Sequence, residues 1–341
     1  MSLLIALAAG VAAAQPLVIA HRGASGDRPE HTLAAYELAI DQGADFIEPD
    51  LVPTKDGVLV ARHENEISGT TNVADRPEFA RRKATKTIDG QEITGWFTED
   101  FTLAELNTLR AKERIPQLRS TAYDGQYQVP TLKEVIALVK RKEKAAGRRI
   151  GLYPETKHPS YFAGLKLAME KPLVAELHAA GYRKASDPVF IQSFEIDNLR
   201  ALKGMTKLRL VQLIGDLNSG PPDRSGIGYA TMVTAPGLKG IAAYASGVGP
   251  EKSAVIPRGA DGKLAAPTAL VKDAHAAGLV VHPYTFRQEN YFLAADFKKG
   301  GDPRAHGDLA GEVCAFLKAG VDGVFSDNPG LAVAAVKSCK P

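Results

Sequence analysis

Short apolar runs alternate along this chain with amphipathic stretches, and nearly every run ends in polar or charged side chains that are costly to bury. The runs are Leu17–Ala20, Asp45–Asp50, Val58–Arg62, Ile150–Glu155, Val189–Ser193, Leu208–Ile214, Leu279–Tyr284 and Asp322–Ser326. Helical segments such as Thr32–Gln42, Leu132–Ala146 and Lys171–Ala180 lie between them. Several helices end at a glycine just before the next strand (Gly43, Gly181, Gly278, Gly320), where a left-handed C-cap is expected. This alternation predicts an α/β fold with a parallel sheet covered by helices. Eight runs match a closed (β/α)8 barrel, and 341 residues hold such a barrel of roughly 250 residues plus an insertion. Residues 66–128 break the rhythm with mixed charge and no strand of barrel type. They are read as a small subdomain inserted after the third strand, over the C-terminal mouth of the barrel. The Gly- and Pro-rich stretch 215–238 is read as another mouth loop.

Composition removes several classes. Forty-two basic against 39 acidic residues leave +3, with no basic stripe, so no nucleic-acid partner is expected. Beyond the N-terminus no run is apolar for long enough to span a bilayer, so no stable membrane insertion is expected either. The chain has no Gly-x-Ser-x-Gly elbow and no phosphate-cradling GxxxxGK[ST] loop. Residues 3–14 resemble the apolar core of a secretory signal, with Ala12-Ala13-Ala14 as its cleavage site. Residues 1–14 are therefore expected to be a signal peptide and 15–341 the exported domain, placed in the periplasm. The two cysteines, Cys314 and Cys339, either staple the C-terminal tail or stay apart, one buried and one free.

In a parallel barrel the C-terminal strand ends converge on one face, where active sites of that fold lie. Here those ends carry His21-Arg22, Glu48-Pro49-Asp50, Arg62-His63-Glu64, Glu155-Thr156-Lys157, Gln192-Ser193-Phe194 and Ser326-Asp327-Asn328. Glu48 and Asp50 are two apart on a strand and share a side. Paired carboxylates repel unless a cation separates them. A salt-bridge cluster with Arg22 and Lys157 explains that pair alone. With Glu155 added, three oxygen donors and no cysteine suit a hard divalent ion. His21 and His63 end separate strands beside this cluster and suit proton transfer near neutral pH. His31 is read as a residue at the start of a helix, beside Thr32. Arg22 and Lys157 add fixed positive charge, and the whole set fits a phosphate ester better than a sugar or a peptide.

These residues resemble the glycerophosphodiester phosphodiesterases, most closely their bacterial periplasmic branch. The similarity runs through His21-Arg22-Gly23-Ala24-Ser25-Gly26, Pro29-Glu30-His31-Thr32, Glu48-x-Asp50, Thr54-Lys55-Asp56-Gly57 and His63. It continues through Glu155-Thr156-Lys157, Gln192-Ser193-Phe194, Tyr284-Thr285-Phe286-Arg287 and Asp327-Asn328-Pro329. The resemblance implies a TIM barrel that hydrolyses small-molecule glycerophosphodiesters, such as glycerophosphocholine and glycerophosphoethanolamine, to sn-glycerol 3-phosphate and an alcohol. It implies one divalent cation, calcium ahead of magnesium, on Glu48, Asp50 and Glu155. His21 and His63 would be the acid–base pair and Arg22 and Lys157 the phosphate grip, with Gln192, Phe194 and Phe286 lining the substrate. His31 stands where family patterns often have Asn, a change expected to alter the helix start rather than the chemistry. Two alternatives share the scaffold: a phospholipase D-like lyase acting on lysophospholipid or sphingomyelin head groups, and a catalytically silent binding protein. Oligomeric state is left open.

Overall fold

A computed structural model describes residues 15–224 and 226–339, so the expected signal peptide lies outside the described residues. The strands follow in chain order as β1 (Leu17–Ala20), β2 (Phe46–Ile47), β3 (Asp50–Pro53), β4 (Leu59–Ala61), β5 (Ala84–Ile88), β6 (Gln91–Gly95) and β7 (Gly151–Leu152). After these come β8 (Glu155–Thr156), β9 (Phe190–Ser193), β10 (Arg209–Ile214), β11 (Gly247–Pro250), β12 (Val280–Val281) and β13 (Gly323–Ser326). Pro49 and Pro154, which lack the amide hydrogen a ladder needs, interrupt β2/β3 and β7/β8. With each pair counted as one strand, eight parallel staves surround the barrel among the described residues. The ring closes where β13 pairs with β1 and where Asp322 N and Phe325 N donate to Val281 O and Pro283 O at 2.9 and 3.1 Å.

The structure corrects two strand assignments. The expected third stave is not one: β4 runs antiparallel to β3, Leu51 opposite Ala61, and returns the chain to the mouth where the insertion begins. The stave missing from the sequence reading is β11, whose Gly-Val-Gly-Pro looks like a generic loop. Its glycines are steric necessities. A Cβ on Gly247 would lie 2.6 Å from Val280 Cγ2, and one on Gly249 would lie 2.7 Å from Leu213 Cδ2. The insertion holds the β5–β6 hairpin and a four-residue helical turn, Leu103–Leu106. Trp96 packs there, its Nε1 donating to Phe79 O at 2.7 Å.

The barrel interior is filled by Ile19, Phe46, Tyr153, Phe190, Val211 and Phe325. His282 joins this layer, hydrogen-bonded through Nδ1 to the Tyr153 hydroxyl at 2.9 Å, and does not reach the mouth. Strand side chains repeat every second residue, so each filler is followed two residues later by a mouth residue. Ile19 leads to His21, Phe46 to Glu48, Tyr153 to Glu155, Phe190 to Gln192 and Phe325 to Asp327. An apolar aromatic floor thus lies directly beneath a polar ring.

Among the described residues no helix is long and apolar enough to cross a membrane. Cys314 and Cys339 are disulfide-bonded, their Cα atoms 5.7 Å apart, which ties the end of the last helix to its neighbour.

Candidate active site

Glu48, Asp50 and Glu155 are buried, and each offers an oxygen within 4.8 Å of the others. Their surroundings are asymmetric. Glu48 accepts from Gln192 Nε2 at 2.6 Å and from the Arg22 amide at 3.0 Å. Asp50 Oδ2 faces His31 Nε2 at 3.0 Å, while Asp50 Oδ1 has no hydrogen-bond partner. Glu155 Oε1 also lacks a hydrogen bond; Lys157 Nζ stands 2.8 Å away as an ion pair outside hydrogen-bonding alignment. Burial and the neighbouring carboxylates push Glu48 well above the usual range and Glu155 up to about 7. Asp50 goes the other way, because His31 and Lys157 outweigh its burial. Three buried oxygen donors, two of them orphaned and mutually repelling, fit a hard divalent cation.

The two histidines border this cluster. His21 Nδ1 sits 2.5 Å from Asp327 Oδ1, and its Nε2 lies 4.0 Å from Glu48 Oε2. His63 Nδ1 sits 2.5 Å from Glu64 Oε1, and its Nε2 lies 3.3 Å from Lys157 Nζ. Each ring therefore commits Nδ1 to a carboxylate and leaves Nε2 to face the site, beside Glu48 for His21 and beside Lys157 for His63. Burial, with Arg22, lowers His21 to about 4 despite Asp327. Burial, with Arg22 and Lys157, lowers His63 to about 3 despite Glu64. Arg22 is held by Glu30 Oε2 at 3.0 Å, and its buried Nε makes no hydrogen bond, lying 3.7 Å from Asp50 Oδ2 as an ion pair.

A cavity of about 750 Å³ opens over this floor, lined by His21, Arg22, Glu48, Asp50, His63, Glu155, Gln192 and Phe194. Lys157 borders a smaller adjoining pocket. Phe286 is a correction: it is wholly buried with its ring against Phe316, 4.9 Å between centroids, and does not line the cavity. Its neighbours Tyr284, Thr285 and Arg287 do. His31 is a second correction. It is fully buried between Asp50 and the Tyr36 hydroxyl, at 3.0 and 2.7 Å, so it supports a carboxylate of the cluster as well as preceding the helix that Thr32 caps. The sequence reading also missed the roles of Glu30, Arg114, Arg119 and Glu289. Ion pairs spanning 84 to 208 residues leave no local signature.

Comparison with known proteins identifies the family and the fold. The Glycerophosphoryl diester phosphodiesterase family profile matches residues 21–331. A glycerophosphodiester phosphodiesterase of Arabidopsis thaliana is 39% identical, the match covering 93% of this chain and 84% of that protein. One from Haemophilus influenzae is 31% identical, over 95% and 90% of the two chains. Among solved structures, an Oleispira antarctica phosphodiesterase in complex with the product sn-glycerol-3-phosphate shares the fold. Its TM-score is 0.61 at 22% identity, covering 95% of this chain and 98% of that one.

Proposed function

Because the chain belongs to the glycerophosphoryl diester phosphodiesterase family and is a glycerophosphodiester phosphodiesterase, we propose that it cleaves glycerophosphocholine and glycerophosphoethanolamine by metal-assisted acid–base catalysis from His21 and His63. The products are sn-glycerol 3-phosphate, the ligand held by the Oleispira protein, and the free alcohol. The observation that carries this reading is the meeting of three buried carboxylates, two imidazole Nε2 atoms and the Arg22 and Lys157 cations at one end of the barrel. Glu48, Asp50 and Glu155 would hold the cation, calcium ahead of magnesium, which when bound opposes phosphate charge and acidifies an oxygen it touches.

The chain's own groups do the rest. Arg22, whose Nε is free of hydrogen bonds, and Lys157 grip the non-bridging phosphate oxygens. One imidazole Nε2 takes the proton from the attacking hydroxyl as its oxygen bonds to phosphorus. The other gives a proton to the alcohol oxygen as its bond to phosphorus breaks. The negative charge of the substrate offsets Arg22 and Lys157 and so favours the protonated form of the ring that serves as acid. The attacking hydroxyl belongs either to water or to the adjacent glycerol carbon; in the second route water then opens a cyclic phosphate. The aromatic floor excludes water from below and strengthens each of these interactions. The Cys314–Cys339 bond supports an oxidising compartment and, with it, a periplasmic location.

His21→Ala and His63→Ala, assayed on glycerophosphocholine, should each lose on the order of 10²–10⁴ in kcat. A loss below about tenfold in either variant, set against that range, removes the histidine from its role.

A further inference from the structure

Residues 110–128, the last part of the insertion, cross the mouth beside both histidines with almost no regular structure. Two arginines five residues apart leave this segment and end on the two carboxylates that orient the rings. Arg114 forks onto Glu64, NH1 to Oε1 at 2.7 Å and NH2 to Oε2 at 2.6 Å, and Glu64 holds His63 Nδ1. Its Nε and NH2 also grip Glu30, at 2.8 and 2.6 Å, and Glu30 holds Arg22. Arg119 NH2 donates to Asp327 Oδ2 at 2.6 Å, on the carboxylate whose Oδ1 holds His21 Nδ1. Its Nε is fixed by Glu289 at 2.5 Å and its NH1 by the carbonyl of Ser25 at 3.0 Å. Arg287 Nε completes the set on Asp327 Oδ2 at 2.7 Å.

We propose that Arg114 and Arg119 are positioning residues for the acid–base pair, so that one inserted segment sets the orientation of both proton-transfer groups. This rests on His21 and His63 being that pair. Each carboxylate presents one oxygen to an imidazole N–H and the other to guanidinium N–H groups: Glu64 is held by the planar fork of Arg114, and Asp327 by Arg119, itself fixed by Glu289, together with Arg287. Locking the carboxylate fixes the Nδ1–H tautomer and aims Nε2 at the reacting atoms. Simple anchoring of the insertion to the barrel would need only one such clamp and would not need it on the histidine partners. The insertion also carries a clamp between two of its own residues, Arg82 on Glu105, that touches neither histidine partner.

The test uses Arg114→Gln, Arg119→Gln and, as the control for loss of an insertion ion pair away from the histidines, Arg82→Gln, each checked by thermal melting. Arg114→Lys and Arg119→Lys, which keep the charge and lose the fork, replace any Gln variant that does not fold. Alcohol release is followed in single turnover, which reads the first P–O cleavage, on glycerophosphocholine and on the p-nitrophenyl ester of glycerol phosphate. The second leaving group needs no acid. Each arginine variant should lose about 10- to 100-fold in rate on the choline ester, the usual effect of removing an orienting partner, with KM within about threefold. One of the two, serving the acid, should regain most of that loss on the p-nitrophenyl ester, while the other does not. Arg82→Gln should follow wild type on both.

Either arginine variant behaving like Arg82→Gln, or both of them losing equally on the two esters, overturns the proposal. His21→Ala and His63→Ala run in parallel separate the two ideas. If those variants diverge between the esters and the arginine variants do not, positioning fails and the acid–base reading stands. If they do not diverge either, the acid–base reading itself fails.

Discussion

The placement of Glu155 that we propose serves a bound cation costs stability when no cation is there. Burial and Asp50 raise its pKa from 4.5 to about 7, even with Lys157 beside it. A carboxyl raised in the folded state keeps its proton where the unfolded chain has released it. Stability therefore falls as pH climbs from 4.5 toward 7, and the penalty is complete above that. A tenfold difference in proton affinity is about 1.4 kcal/mol, so this gap amounts to about 3 kcal/mol at pH 8. Glu155→Gln removes the titrating group and keeps its shape, and Lys157 retains Asp50 as a neighbour. For a chain of 341 residues the entropy of unfolding is about 0.7 kcal/mol/K, which turns 3 kcal/mol into a rise in Tm of about 4 °C. The assay is thermal melting of wild type and variant in excess chelator from pH 5 to pH 8. The variant should be the more stable at pH 8, with the gap closing toward pH 5, while its turnover is lost. A variant that melts lower at pH 8, or a gap that ignores pH, would refute the argument that these carboxylates are held together against their own repulsion.

Other consequences can be measured separately. Glu48 and Glu155 must shed protons to hold a cation, so calorimetric calcium affinity should rise as pH passes upward through about 7; an affinity flat from pH 6 to 8 counts against these ligands. His31→Ala removes the donor to Asp50 Oδ2 and should weaken cation affinity by about 10- to 100-fold in the same titration; an unchanged affinity would return His31 to a purely local role. Cys339→Ser opens a loop closed across a sequence separation of 25 and should cost about 3 kcal/mol in a urea melt, with kcat unaffected because neither cysteine lines the cavity; no shift in midpoint would contradict that.

Much of the site was legible because barrel strands announce themselves twice, as apolar runs and as the costly polar residues that end them. His21, Glu48, Glu155 and Gln192 each sit two residues beyond an inward-facing filler, and that period is visible in the bare chain. What the sequence concealed has physical reasons. Val58–Arg62 has the composition of a stave yet pairs antiparallel, since an apolar run does not declare its direction. Gly247–Pro250 is a stave without apolar bulk, because Val280 and Leu213 already occupy the space its side chains would need. Phe286 lies beside cavity residues in sequence, but beyond the end of β12 the side chains no longer alternate and its ring packs on Phe316 of the helix layer. The Arg114 and Arg119 clamps join positions 50 to 208 residues apart, and only the folded chain brings them together.

The central claim is that a cation on Glu48, Asp50 and Glu155 works with two histidines on a glycerophosphodiester. Release of sn-glycerol 3-phosphate from glycerophosphocholine, followed before chelation, after it, and after calcium or magnesium is restored, tests this most directly. Turnover should vanish on chelation and return with one of the two ions, calcium ahead of magnesium. Turnover that survives exhaustive chelation, or none with either ion from folded protein, would contradict it.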